Sequence, residues 1–182
     1  MADQDRLKAT AGIAYNPAPF YRRQTGKAFA VRLAVWTANL AQLKALFYDI
    51  LEGYPDEVEV LLSVPQRWDE EDNPVWQGFY NQVPYTTIIN AIRRNEEFVF
   101  QDGSVQLCLK IPGSPEYIAL DDHGILFIYF DPPEIIELLA EHGFAYREES
   151  LIYESPHWHV SHRDDRLRQD QFVSELGLKE HS

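Results

Sequence analysis

The chain has 182 residues, of which 45% are hydrophobic, and this fraction is typical of a globular protein and argues against a disordered one. A formal net charge of −13 argues against binding to nucleic acid or to an anionic membrane, because a negative protein surface repels both. The single cysteine, Cys108, excludes an internal disulfide, and no apolar run approaches the roughly 20 residues that cross a membrane. We therefore expect one cytoplasmic domain, residues 1–182, without a nucleic-acid or membrane partner.

The charges are unevenly distributed along the chain. Residues 1–48 carry seven lysines and arginines against two aspartates, whereas residues 49–182 carry nine against 27 acidic residues. An acidic body attracts basic partners through its long-range field, and the alternative is that the charge serves solubility alone. Residues 1–27 have no clear periodicity, and we interpret them as a possible N-terminal arm packed on the acidic body.

Residues 28–64 show the pattern of a strand, a helix and a second strand. Hydrophobic residues alternate over 28–36, which indicates a strand. Thr37 can cap a helix that continues through Glu52. Its predicted apolar face is formed by Leu40, Leu43, Phe47 and Ile50. Residues 57–64 are the second strand, so a βαβ unit or part of a ferredoxin-like arrangement is expected here.

Residues 65–84 interrupt this regularity and predict a long irregular loop, punctuated by Pro65, Pro74 and Pro84. Loops of this length are uncommon in compact domains and often have a function. An acidic run lies among aromatic side chains, and together they form the candidate partner-binding set: Trp68, Asp69, Glu70, Glu71, Asp72, Trp76, Phe79 and Tyr80. The alternative is that the aromatic side chains fold back onto the core.

A short helix is predicted over residues 84–94 and a β-hairpin after it. Asp102 and Gly103 separate two alternating runs, 97–101 and 104–110. An Asp-Gly pair between such runs favours a two-residue turn of type I′, whose central residues need positive φ. The segment therefore predicts two paired strands at the start of a meander.

Two further strands and a helix complete the central part of the sequence. A short strand is expected over 116–120, and residues 125–130 are apolar at every position, which places that strand inside the sheet with both faces covered. Alternation predicts Ile125, Phe127 and Tyr129 on one face and Leu126, Ile128 and Phe130 on the other. A helix follows over 132–142, with Asp131 as its N-cap and Gly143 after its end.

The predicted fold class is α+β, with a largely antiparallel sheet built on the 97–130 meander. Short strands are also expected over 151–154 and 158–160. About four helices pack on the sheet, near residues 38–52, 84–94, 132–142 and 164–176.

The sharpest chemical pattern is His157-x-His159-x-x-His162. On a strand, His157 and His159 point to the same side, so both imidazoles can reach one zinc-like divalent metal, with His162 or Asp164 as a third ligand. The spacing resembles part of the metal motif of the metallo-β-lactamase family over six residues, with Ser161 where that family places an aspartate. The alternative is a pair of histidines on an exposed edge strand.

Two other groups have weaker chemical potential. The turn from Asp121 to Gly124 holds two carboxylates and the imidazole of His123, although short polar residues are also what a turn needs. Cys108 has no predicted base or cation beside it, so a structural thiol is expected.

Two functions follow from these patterns. The first is a non-enzymatic binding or regulatory protein that presents the 65–84 segment to a basic protein and needs no cofactor. The second is a metal-dependent hydrolase that uses His157, His159 and His162. The sequence does not predict the oligomeric state.

Overall fold

The computed structural model describes residues 8–11, 17–27, 31–68, 74–130, 133–159 and 165–181. Its strands are β1 (Ala9–Ala11), β2 (Phe20–Gln24), β3 (Arg32–Trp36), β4 (Glu57–Trp68), β5 (Pro74–Pro84), β6 (Gln106–Lys110), β7 (Tyr117–Leu120), β8 (Leu126–Ile128), β9 (Ala145–Tyr146), β10 (His157–His159) and β11 (Lys179–His181). Its helices are α1 (Leu40–Leu51), α2 (Tyr85–Arg94), α3 (Glu96–Gln101), α4 (Pro133–Glu141) and α5 (Asp165–Glu175). None of these helices is long and apolar enough to cross a membrane.

Nine of the described strands form one mixed, mostly antiparallel sheet in the order β11-β5-β4-β6-β7-β8-β3-β2-β9. Neighbours are antiparallel except β2 and β9, which run parallel. The α+β fold class is confirmed. The two strands of the expected βαβ or ferredoxin-like segment, β3 and β4, are not neighbours, because β6, β7 and β8 lie between them. The remaining pair, β1 and β10, forms a separate two-stranded ribbon.

The helices all contribute side chains to the main core on one face of the sheet. Strand β8 lies inside the sheet, and its alternation is as predicted. Leu126 and Ile128 enter the main core, whereas Ile125 and Phe127 enter a second cluster on the opposite face. That second cluster is covered by Leu151 and its neighbour Ile152. Both faces of the strand are therefore covered, as a fully apolar strand requires.

Local capping explains where the helices end. Helix α4 stops as predicted, because Gly143 has a φ of 78° and the amide of Phe144 donates to the carbonyl of Leu139 at 2.9 Å. The proposed N-cap, Asp131, lies outside the described residues. Helix α1 begins later than expected, because Asn39 accepts the capping bond from Gln42, and Thr37 instead accepts from the amide of Asn39.

The predicted hairpin over 97–110 is half wrong. Its second strand exists as β6, but its first strand is helix α3, and Gly103 does not have the positive φ that a type I′ turn needs. Phe98, Val99 and Phe100 are all buried, so this run has no polar face and cannot alternate as a strand on one face of the sheet. Packing against the ring of Phe172 and the ring of Phe47 favours the helix.

The long irregular loop predicted over 65–84 is also wrong. Strands β4 and β5 pair along their whole length, with one irregularity between Pro65 and Arg67, and only residues 69–73 between them lie outside the described structure. Pro65 lies at that irregularity, and Pro74 is the first residue of β5. Both positions tolerate a residue that has no amide proton to donate.

Two C-terminal predictions need correction. The segment predicted as a strand over 151–154 contains a 3₁₀ turn at Ile152–Glu154, because the Glu154 carboxylate accepts a hydrogen bond from the amide of Leu151 at 2.9 Å. In α5, Phe172 is buried as expected, but Leu167 is 71% exposed and does not belong to the buried face.

Candidate metal centre

The turn between β7 and β8 positions the first histidine of the candidate centre. The Asp121 carboxylate accepts hydrogen bonds from the amides of His123 and Ile125, at 3.0 and 2.7 Å. Gly124 has a φ of 77°, a conformation that other residues adopt only with strain. This turn holds the imidazole of His123 at the end of strands β7 and β8.

The ribbon strand β10 positions the other two histidines. The strand alternates, so His157 and His159 lie on one side and Trp158, which is 65% exposed, lies on the other. The backbone of β10 pairs with β1, with Ala11 opposite His157 and Ala9 opposite His159. The prediction that the two imidazoles share one side is confirmed by their contact with each other.

The three rings form a nearly regular triangle. Ring centroids are 4.8 Å apart for His123–His157, 4.8 Å for His123–His159 and 5.2 Å for His157–His159. One ligand nitrogen from each ring lies within 4.8 Å of the others. Nitrogens bound to one tetrahedral zinc are about 3.4 Å apart, so small ring rotations bring these three into coordination range.

Hydrogen bonds orient all three rings in the same way. Each Nδ1 faces oxygen atoms that can only accept: the carbonyl of Ser155 at 2.7 Å from His157, the carbonyl of Gly103 at 3.0 Å from His159, and a carboxylate oxygen of Asp121 at 3.1 Å from His123. In the neutral form of each ring, Nδ1 therefore carries the proton and the lone pair lies on Nε2, and a metal that binds His123 displaces the second proton from its charged form. Histidines that bind metals are held by carbonyl or carboxylate oxygens in this manner.

The carboxylates perturb the charge of His123. Burial opposes its charged form, but hydrogen bonds to Asp121 and Asp122, together with their negative charges, raise the pKa of His123 to about 9. Burial also acts against the charged form of Asp122, yet the pKa of Asp122 is lowered because His123, Gln106 and His159 stabilise its anion. A cation bound by the three histidines would therefore have the negative carboxylates of Asp121 and Asp122 behind its ligands.

A buried lysine lies beneath the centre. The ammonium of Lys8 is fully buried and donates to the carbonyl of Val105 at 2.6 Å. Burial lowers the pKa of Lys8 to about 8, against the opposing effect of Asp121, Asp102 and Asp122. Asp102 accepts from the amide of Ser104, while its second carboxylate oxygen has no partner among the described residues. Because Lys8 immediately precedes β1, it anchors the ribbon that holds the two β10 histidines.

The structure brings together only part of the residues singled out in the sequence. His157 and His159 meet, whereas His162 and Asp164 lie outside the described residues. The predicted third ligand is matched by His123, which the sequence placed in a separate turn. Only the position of β10 over the β7–β8 turn connects the two patterns, and this position has no local sequence signal.

The described residues of the candidate partner-binding set belong to strands β4 and β5. Trp76 and Tyr80 are 37% and 38% exposed on one face of β5, whereas Phe79 packs against the main core. Trp68 ends β4, and Asp69, Glu70, Glu71 and Asp72 lie outside the described residues. Burial raises the pKa of Cys108 to about 12, in agreement with a structural thiol.

Comparisons with protein-family models, with curated proteins and with solved structures found no match to this chain. Its class is therefore defined by the fold and the cluster alone: an α+β protein in which three histidines converge at the turn between two central strands, β7 and β8, of a mostly antiparallel sheet.

Proposed function

We propose that the protein is a metal-dependent hydrolase whose ligands are His123, His157 and His159. The observation that supports this proposal is the convergence of the three rings, each with Nδ1 on an oxygen acceptor, which leaves Nε2 as the ligand atom of the neutral ring. A zinc-like ion held by these three histidines would also bind water and would lower the pKa of that water towards neutrality.

The remaining groups have supporting roles in this proposal. Asp121 and Asp122 hold His123 and add negative charge behind the cation. Gly103 and Ser155 fix the other two rings through their carbonyls. The side chain of His159 is 36% exposed, so solvent and a substrate can reach the cluster.

The test is zinc binding by the purified, chelator-treated protein, measured by isothermal titration calorimetry and elemental analysis. We expect one zinc per chain, lost in His123→Ala, His157→Ala and His159→Ala and retained in the control His142→Ala, whose imidazole contacts Asp49 outside the cluster. Asp122→Asn should lower the affinity by about 10–100-fold, because it removes an outer-layer partner. Wild-type protein that binds no zinc, or histidine variants that bind it equally well, would refute the proposal.

A second candidate function is protein binding through strands β4 and β5 of the main sheet and residues 69–72 between them. Its support is the exposure of Trp76 and Tyr80, since aromatic side chains dominate many interfaces. The adjacent run of four acids would attract a basic partner and accelerate association.

The second candidate is tested with lysozyme as a basic probe protein. Replacing Asp69, Glu70, Glu71 and Asp72 by Asn or Gln should slow association and weaken its salt dependence. The control neutralises four exposed acids elsewhere, namely Glu134, Glu137, Glu141 and Glu148. Equal effects of the two quadruple variants would show that net charge, rather than the position of residues 69–72, governs the association.

A further inference from the structure

The sheet face opposite the helices contains a groove that begins at the candidate metal centre. Strand register places Leu61, Cys108, Ala119 and Phe127 in one row across β4, β6, β7 and β8. The two middle residues are small and the two outer residues are large, so the row forms a trough with Cys108 and Ala119 as its floor. The cavity above it has a volume of about 370 Å³.

One end of the trough is closed by larger side chains. The next row on the same face contains Glu59, Lys110, Tyr117 and Tyr129. Lys110 and Glu59 form an ion pair at 3.0 Å, and the rings of Tyr117 and Tyr129 stack with centroids 3.9 Å apart. Tyr129 of this row lines the cavity and closes that end, and its ring is held there by the stack with Tyr117.

The other end of the trough opens onto the metal centre. The Gln106 side chain lies there and donates to a carboxylate oxygen of Asp122 at 2.9 Å. Asp121, Asp122 and His123 complete the lining at this end. A molecule that fills the trough therefore presents its nearest atoms to His123, the histidine of the centre that lines the trough.

We infer that the trough binds the uncharged, apolar or aromatic part of an ester substrate and directs its carbonyl group to the metal centre. This inference rests on the proposed hydrolase function and names its substrate class. The floor and side walls are uncharged, because burial raises the pKa of the Cys108 thiol and keeps it protonated. The carboxylates at the open end disfavour an anionic substrate.

The reaction is a hydrolysis that needs only water. Water adds to the carbonyl carbon, the bond from that carbon to the alcohol oxygen breaks, and a proton from water passes to the leaving oxygen. The products are a carboxylic acid and an alcohol, and no oxidant or reductant is involved. Lys110 and Gln106 are four residues apart on β6, so the two ends of the trough are roughly 13 Å apart, which accommodates one ring together with its ester group.

The test compares the release of acetate by the zinc-loaded protein from two aryl acetates with a neutral and a charged para substituent, methyl 4-acetoxybenzoate and the 4-acetoxybenzoate anion. We expect the neutral ester to have the higher kcat/KM by about tenfold or more, and Ala119→Leu to abolish this preference by filling the trough. Gln82→Leu is the matched control, because it adds the same side chain at an exposed position on β5 outside the trough. Equal rates for the two esters, or an unchanged preference in Ala119→Leu, would overturn the inference.

A binding measurement separates this inference from the hydrolase proposal. 4-Methylacetophenone has the ring and the carbonyl but cannot be hydrolysed, and its binding to the zinc-free protein is followed through the amide NMR signals of Cys108 and Ala119. Binding that Ala119→Leu prevents supports the trough even if zinc does not bind. Zinc binding without any binding of the ketone overturns the trough and leaves the metal centre intact.

Discussion

The buried ammonium of Lys8 makes stability depend on pH in a direction that is unusual for a lysine. Its pKa falls from 10.5 in the unfolded chain to about 8 in the folded protein, mainly because burial disfavours the charge. Between these values the unfolded chain holds a proton that the folded protein has lost, so raising the pH favours folding. The difference of about 2.5 units corresponds to roughly 3 kcal/mol of unfolding free energy gained between pH 8 and pH 10.5.

The measurement is urea denaturation of the zinc-free protein at pH 7.5 and pH 10.5, for wild type and for Lys8→Met. Methionine has a similar length and no charge, so other titrating groups cancel when the two pH responses are subtracted. Wild type should gain about 3 kcal/mol more than the variant over this range. Identical pH responses would refute the lowered pKa of Lys8, and with it the burial of this side chain that anchors β1 beneath the metal centre.

Three further predictions concern the core, a helix end and the centre. Phe172→Ala should lower the free energy of unfolding by about 3–5 kcal/mol in chemical denaturation, because Phe172 is fully buried against Phe98, whereas Leu167→Ala at its exposed site should have little effect. Gly143→Ala should cost about 1–2 kcal/mol in the same assay, because φ is 78° there, and Gly53→Ala, which lacks a positive φ, is its control. In the zinc-free protein, the NMR titration of His123 should have its midpoint near pH 9 and move lower in Asp121→Asn, which loses a carboxylate partner; an unchanged midpoint would contradict the proposed origin of the shift.

Features with a local cause were predictable from the sequence. Helix α4 ends as expected because Gly143 and the contact between Phe144 and Leu139 are encoded within a few residues. The alternation of β8 was also predictable from its sequence. Helix α3 was missed because an Asp-Gly pair after alternating residues favours a turn locally, whereas packing of Phe98 and Phe100 against distant rings decides the outcome.

Only the local part of the candidate centre was predictable from the sequence. The period of a strand places His157 and His159 on one side, which needs only two residues of local regularity. The meeting of His123 with these two depends on the position of the ribbon, including the contact of His159 with the carbonyl of Gly103. That contact joins residues from separate parts of the chain, and no single-sequence pattern reports it.

The ribbon has a consequence for the order in which the molecule folds. Its pairing of Thr10 with Trp158 closes one loop around most of the described chain. Closing a long loop costs conformational entropy, and contacts between such distant residues form slowly. We therefore expect β6, β7 and β8 to assemble before β10 reaches the turn that carries His123. A folding intermediate would have the sheet but no ligand triangle, so metal would be acquired only by the completed fold.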